Sequence, residues 1–276
     1  MTQSKTLARL LTAAVMGVLA VALLAPAAQA KEPAPGYEVF KGCPSPEEKA
    51  GLAVCLHSDI TGGHLQTGSK DVPIENPLTL SGGADENFEG FTFNSKGGLT
   101  KVKQKVPGGV LGLTGLTWLL EFFGSDALTL YAETELAGTP SNFTIETVTI
   151  PIKVHLTTPS GVLGNTCYIG SNSSPITLKL TTGTTSPPEP NKPITGKEPE
   201  LSIDGKGIIH LDNGTYVDNS FSVPGASGCV LKLFGFIPIS LNGFVNSQSE
   251  LPSAAGKNEA VQDFDLQFVE RGFVYP

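Results

Sequence analysis

Apolar and polar residues alternate along much of the chain, most regularly over residues 127–136, 143–156, 176–181 and 208–211. Successive side chains of an extended strand point to opposite faces, so this alternation indicates strands with one buried and one solvated face. The sequence Asp-Asn-Gly at residues 212–214 predicts a tight hairpin turn, because left-handed backbone positions favour Asn and Gly. The pattern as a whole predicts an all-β fold.

Glycine and proline interrupt these runs too often for long helices, since the chain contains 32 Gly and 21 Pro. Two longer apolar runs, at residues 110–123 and 230–245, depart from the alternating pattern. Such runs usually supply the inner face of a core, and we favour that interpretation. The alternative is an exposed apolar patch for a lipid, a hydrophobic ligand or another protein. The residues proposed for such a patch are Leu113, Leu116, Trp118, Phe122, Phe234 and Phe236.

Several short landmarks of the first half return in the same order in the second half. One of them is Val-Pro-Gly, which occurs at residues 106–108 and again at residues 223–225. Ordered landmarks at similar offsets are typical of an internal repeat. We therefore expect a β-sandwich made of two related β units packed together, with little helix. The expected units are residues 31–160, which include an N-terminal disulfide clip, and residues 161–276.

Residues 1–30 have the composition of a secretory signal peptide. Lys5 and Arg9 precede a long uncharged run, and Ala28-Gln29-Ala30 places small residues where a signal peptidase cleaves. A polar, Pro-rich segment follows at residues 31–35, which argues against an uncleaved anchor. No second apolar span follows, so we expect no transmembrane span after removal of the signal. The protein is expected to be secreted to the extracellular space.

The charge of the chain limits its partners. Residues 1–30 contain two basic and no acidic residues, so their removal takes the formal net charge from −8 to −10. Arg271 is the only Arg in the remaining chain. Nucleic acids and anionic lipid surfaces are bound by clustered Lys and Arg, so neither is an expected partner. The expected partner is a protein, a glycan or an apolar ligand of unknown identity.

All four Cys of the chain follow the signal segment, where an oxidising compartment favours disulfides. Three pairings are possible. The short spacing between Cys43 and Cys55 favours a local clip, which leaves Cys167 and Cys229 to pair across a long loop. A zinc site is the alternative, but there is no Cys-x-x-Cys pair and His57 is the only His near a Cys. No metal ligand is therefore predicted.

Three strings in the second half resemble a group of uncharacterised secreted proteins predicted from actinobacterial genomes. They are Asn-Thr-Cys-Tyr-Ile-Gly-Ser at residues 165–171, Leu-Thr-Thr-Gly-Thr-Thr at 180–185, and Phe-Ser-Val-Pro-Gly-Ala-Ser-Gly-Cys at 221–229. The resemblance covers most of the chain after the signal segment. It implies an exported, disulfide-bonded protein, and it implies no particular activity, cofactor or binding residue.

No catalytic residue or cofactor is predicted. The chain has no Gly-x-Ser-x-Gly nucleophile motif, and its four His are scattered. Glycoside hydrolysis needs only two suitably placed carboxylates. A spacing of two residues, however, is also typical of the solvated face of a strand. The candidate carboxylates are Glu133 with Glu135, Asp263 with Asp265, and Asp85 with Glu86 and Glu89.

The sequence therefore favours a secreted or envelope-associated, non-enzymatic binding or structural protein. An extracellular polysaccharide hydrolase that uses a carboxylate pair is one alternative, and a carrier of an apolar ligand is another. A cleft between carboxylates at a suitable separation would favour the hydrolase. A dry cavity lined by residues 110–123 would favour the carrier.

Overall fold

The computed structural model of the chain describes residues 31–116, 126–233 and 237–276. The predicted signal peptide, residues 1–30, lies outside this part. Four residues of the predicted apolar patch lie outside it as well: Trp118, Phe122, Phe234 and Phe236. Residues Glu32–Pro276 form a single compact unit.

The described residues form mainly β-strands. In chain order the strands are β1 (Val54–Thr67), β2 (Lys70–Pro73), β3 (Leu78–Ala84), β4 (Gly98–Leu99), β5 (Lys103–Lys105), β6 (Tyr131–Leu136), β7 (Thr147–Thr157), β8 (Tyr168–Ile169), β9 (Ile176–Thr181), β10 (Glu200–Ile203), β11 (Ile209–Asp218), β12 (Ala226–Ser227), β13 (Val230–Leu233), β14 (Ile237–Ser240) and β15 (Glu259–Glu270).

The helices of the described residues are short. They are α1 (Gly109–Thr114), α2 (Asn242–Ser249) and α3 (Arg271–Val274), with 3₁₀ turns at Glu38–Phe40 and Asp126–Leu128. Left-handed glycines flank α1, because Gly108 and Gly115 have φ angles of 80° and 69°. In the described part of the chain, no helix has the length and apolar character needed to cross a membrane.

All strands of the described residues except β13 and β14 belong to one antiparallel sheet. Its main order is β12-β8-β7-β9-β11-β15-β1-β3-β4; β10 joins β11, β2 joins β1, and β5 and β6 join β7. The sheet curls strongly, so that β4 contacts β6 and β2 contacts β5. The all-β prediction is confirmed. The two-layer sandwich is not confirmed.

Alternation places the core on the inner face of the curled sheet. Strand β7 shows it most clearly, because every second residue is buried: Val148, Ile150, Ile152, Val154 and Leu156. Strand β9 contributes its alternate residues Ile176, Leu178 and Leu180 to the same cluster. The predicted strand at residues 176–181 is thus confirmed, and that at residues 143–156 is confirmed from Thr147 onward, whereas residues 143–146 lie in the loop before β7.

Residues 212–214 are a β-bulge and not the predicted hairpin turn. Strand β11 continues through them, and its register with β15 shifts between Leu211 and Gly214. Asn213 adopts the left-handed conformation, with φ 57°, and its N–H donates to Asp265 Oδ1 at 2.8 Å. Bulges and hairpin turns both require left-handed backbone positions, which Asn and Gly adopt readily. The local sequence therefore did not distinguish a bulge from a turn.

The strands of the two predicted units are interleaved. Strand β15 lies between β11 and β1, and β7 pairs with β9. The repeated Val-Pro-Gly sequences also differ in context, since residues 106–108 lead into α1 and residues 223–225 lead into β12. These landmarks therefore lie in non-equivalent elements, and the division at residue 160 stays a prediction from the sequence.

Candidate functional site: an apolar groove at one end of the sheet

The floor of the groove is made of inner-face residues at the end of the sheet where β1 begins and β15 ends. Leu56 of β1 lies opposite Phe268 of β15, and Leu211 of β11 lies opposite Leu266 of β15. These positions share one face, because cross-strand partners in an antiparallel pair point to the same side. Four large apolar side chains from three neighbouring strands therefore form a continuous floor.

Two loops form the walls of the groove, which has a volume of about 660 Å³. Asn87 and Phe88 come from the β3–β4 loop, and residues 143–146 come from the β6–β7 loop. The ring of Phe88 meets that of Phe268 edge to face, with centroids 5.7 Å apart. The groove opens to solvent, since the side chain of Ile145 on its wall is 48% exposed.

Local hydrogen bonds fix both walls. Asp85 Oδ1 accepts hydrogen bonds from the N–H groups of Asn87 and Glu89, at 3.0 and 2.9 Å, which shapes the turn that carries Phe88. In the other loop, Thr144 Oγ1 accepts hydrogen bonds from the N–H groups of Glu146 and Thr147, at 3.2 and 2.9 Å. Short polar side chains thus hold the apolar walls in place.

Aromatic rings of the core contact the wall of the groove. Phe91 is buried, and its ring lies 5.5 Å from that of Phe143 on the wall. Tyr216 stacks on Phe264, with ring centroids 4.1 Å apart and an angle of 12°. The Tyr216 hydroxyl donates to the carbonyl of Ile145 at 3.5 Å, and burial strongly raises its pKa. These contacts anchor the β6–β7 loop, and with it one wall of the groove, on the core.

A smaller cavity lies deeper along the same inner face. Its volume is about 70 Å³, and apolar side chains such as Ile60, Leu80, Ile152 and Leu178 line most of it. Leu113 of α1 also reaches it. The volume suffices for only a few heavy atoms of a ligand.

The predicted apolar patch is wrong at Leu113, whose side chain is only 2% exposed and belongs to the main core. Leu116 is partly buried and packs against the same core. The described part of run 110–123 therefore supports the core interpretation. The groove instead uses residues from three strands and two loops, which no single stretch of sequence brings together. The alternation of Phe264, Leu266 and Phe268 was the feature of the sequence that could have indicated this groove.

Glu133 and Glu135, the first candidate pair, form ion pairs with lysine side chains. Both lie on the outer face of β6, and Glu135 Oε1 is 3.0 Å from Lys101 Nζ, while its Oε2 is 3.6 Å from Lys153 Nζ. Burial alone would raise the pKa of Glu135, but Lys101, Lys153 and His155 outweigh it and lower that pKa. A general acid needs a raised pKa, so Glu135 is unsuited to that role.

Three of the other candidate carboxylates, Asp85, Asp263 and Asp265, accept hydrogen bonds within the fold. Asp263 Oδ1 accepts a hydrogen bond from the Thr215 hydroxyl at 2.8 Å, and Asp265 accepts the bond from the Asn213 N–H in the bulge. Asp85 shapes the β3–β4 turn. Among the described residues, no group of three His, Cys, Asp or Glu is arranged to hold a metal ion.

One side-chain constellation was missed by the sequence analysis because it spans two strands. His57 lies opposite Ser81 in the β1–β3 register, and its Nε2 is 3.4 Å from Asp59 Oδ1. These are the residue types of a hydrolytic triad. Ser81, however, lies so close beneath Gly42 and Gly97 that neither glycine could carry a Cβ atom. The Ser81 hydroxyl is buried and has no route for a substrate.

The disulfides join Cys43 to Cys55 and Cys167 to Cys229, which is the predicted pairing. The first holds the N-terminal segment against the outer face of the sheet, where Phe40 and Val269 form a second, smaller core. Tyr275 donates its hydroxyl to the carbonyl of Cys43 at 2.8 Å. Two disulfides fit an oxidising environment.

Comparison with known proteins found no matching family model, no matching curated protein and no matching solved structure. The site is therefore interpreted from its own geometry.

Proposed function

We propose that this is an exported, non-enzymatic binding protein that holds an apolar ligand in the groove. The observation that carries the proposal is the open groove of about 660 Å³, whose floor consists of Leu56, Leu211, Leu266 and Phe268. Ligand sites in proteins are usually concave, largely apolar and between about 300 and 1,000 Å³ in volume. The disulfides support export, as does the signal peptide expected at residues 1–30.

The energetics favour a ligand with an alkyl chain or fused rings. Each methylene transferred from water to an apolar site contributes about 0.8 kcal/mol, so eight of them contribute about 6 kcal/mol before the costs of association. Polar groups at the groove are few. The side chains of Asn87, Thr144 and Glu146 line it and provide contacts for one polar end of a ligand. An amphiphile with one polar end matches this distribution.

The polysaccharide hydrolase receives no comparable support. The best-placed carboxylate pair is neutralised by lysines, and the remaining candidates take part in turns or in a bulge. Sugar-binding clefts also rely on exposed aromatic rings beside the catalytic acids. The rings at the groove, Phe88, Phe143 and Phe268, are not accompanied by such a carboxylate pair.

Titration with a neutral, environment-sensitive dye such as N-phenyl-1-naphthylamine tests the groove. Ile145→Asp places a charge on the exposed wall and should raise the dissociation constant at least tenfold. Phe273→Asp is a matched control, because Phe273 is 51% exposed and lies in α3, outside the groove. It should bind within twofold of the unchanged protein. Equal binding by both variants would contradict the proposal, provided that circular dichroism shows both to be folded.

Export is tested separately by intact-mass analysis of the culture supernatant. The expected species begins at Lys31, after cleavage at Ala30. A full-length chain confined to membranes would show that the apolar N-terminal run serves as an anchor.

A further inference from the structure

Strand β10, residues Glu200–Ile203, is an exposed edge of the main sheet. It pairs with β11 alone among the described strands, and all four of its residues are exposed. An edge strand presents unpaired backbone N–H and C=O groups, which can pair with another strand. Natural edges are usually protected by charges, bulges or a covering segment. Here the free edge instead carries two large apolar side chains.

Those side chains continue the apolar face of the groove floor. Leu201 lies opposite Leu211, and Ile203 lies opposite Ile209 in the β10–β11 register. Leu201 and Ile203 are 59% and 64% exposed, the largest values among the exposed apolar side chains of the described residues. A strand added beside β10 would cover both of them, because its alternate side chains would point to the same face.

The charge on the opposite face of β10 selects the partner. Glu200 lies directly opposite Asp212, and no Lys or Arg of the described residues forms an ion pair with either of them. Like charges at facing positions destabilise a strand pair, and a cation beside them relieves the repulsion. Glu198 and Asp204 lie at the two ends of the strand. A second copy of this acidic chain would add carboxylates at this edge.

We propose that β10 binds an extended segment of a partner polypeptide, in which apolar residues alternate with Lys or Arg. The segment pairs with the free edge as an additional strand. Its apolar side chains cover Leu201 and Ile203, and a basic side chain on the other face lies beside Glu200. This mode of recognition takes affinity from backbone hydrogen bonds and specificity from alternate side chains. The inference is independent of a ligand in the groove.

A labelled peptide of alternating lysine and valine, measured by fluorescence anisotropy, tests the proposal on the full protein. It should bind at least tenfold more tightly than a peptide of alternating glutamate and valine. The double variant Leu201→Ser, Ile203→Ser, which removes the apolar contacts without changing the charge, should weaken lysine–valine binding at least tenfold. Ile237→Ser is the matched control, because Ile237 is 44% exposed and lies in β14, outside the main sheet. It should bind within twofold of the unchanged protein.

Glu200→Lys tests the contribution of charge at this position of the strand. Because it replaces a carboxylate by a cation, the variant should bind the glutamate–valine peptide more tightly than the lysine–valine peptide. A peptide methylated at alternate backbone nitrogens should lose binding if it pairs as a strand. Unchanged affinity of the double variant, an unreversed preference, or full binding of the methylated peptide would each overturn the proposal. Sedimentation that shows a dimer dependent on Leu201 and Ile203, with no peptide competition, would assign the edge to a second copy instead. Dye binding to the groove is measured on the same variants. Because it reports on the groove and not on β10, it shows separately whether the proposed function holds.

Discussion

The side-chain oxygen of Asn258 accepts a hydrogen bond from the backbone N–H of Gly68 at 2.9 Å, across 190 residues of sequence. The amide nitrogen of Asn258 donates to the carbonyls of Phe221 and Ala254, at 2.8 and 3.0 Å. Asn258 is fully buried, so these contacts satisfy a polar group that would otherwise be costly. One side chain thereby joins the end of β1 to the segments on either side of α2.

Asn258→Ala should lower the free energy of unfolding by about 3 kcal/mol, because it leaves the buried Gly68 N–H and Phe221 carbonyl, and the part-buried Ala254 carbonyl, without their partner. Urea unfolding followed by circular dichroism measures the change. Asn172→Ala is the control, since Asn172 is exposed and has a single side-chain bond, to Lys153. Its effect should stay within about 0.5 kcal/mol. Similar losses in both variants would contradict the role of Asn258.

The Pro-rich loop around residues 186–193 lies within the segment that the Cys167–Cys229 disulfide encloses, and asparagine side chains hold it. Asn191 Nδ2 donates to the carbonyls of Asn219 and Asn258, at 3.0 and 2.8 Å. Asn191→Ala should therefore accelerate amide hydrogen exchange in this loop, as measured by mass spectrometry. Removal of the disulfide by Cys167→Ala, Cys229→Ala should leave exchange there nearly unchanged. The opposite pattern would restore the disulfide as the main restraint.

The two disulfides should differ in their contribution to stability. Their sequence separations are 12 and 62 residues. Loop-closure entropy gives about 3 kcal/mol for the shorter loop and about 4 kcal/mol for the longer one. Double Cys→Ala variants that remove each disulfide are compared by urea unfolding. Removal of Cys167–Cys229 should lower the free energy of unfolding more than removal of Cys43–Cys55. A greater loss for Cys43–Cys55 would indicate that packing of the N-terminal segment outweighs loop entropy.

His57 should make stability depend on pH. Burial lowers the pKa of His57 from its ordinary value near 6.5, although Asp59 acts in the opposite direction. Just below pH 6.5, the unfolded chain therefore binds more protons than the folded chain. The contribution of neutral His57 to the free energy of unfolding is complete above this pH, and it is lost as the pH falls through the pKa of the folded state. His57→Gln should flatten the pH dependence of the unfolding free energy in that window. An unchanged slope would show that His57 titrates alike in both states.

Local sequence patterns determined much of the secondary structure. The alternation at residues 147–156 specified both the strand β7 and the face that it buries, because the two-residue period of side chains is a property of the strand itself. The spacing of Cys43 and Cys55 likewise indicated a local disulfide. Residues 212–214 mark the limit of such reasoning, because left-handed positions occur in hairpin turns and in bulges alike.

Only the tertiary structure decided which strands are neighbours. Alternation shows that Leu56, Leu211 and Phe268 each lie on a buried face, but it does not show that β1, β11 and β15 lie side by side, because strand pairing is a long-range choice. The groove, the exposed edge of β10 and the contact between Asn258 and Gly68 all follow from that choice. The sequence by itself determined an all-β, disulfide-bonded chain with defined inner and outer faces. Curling of the sheet decided where the inner face stays open to solvent, and therefore where a ligand can bind.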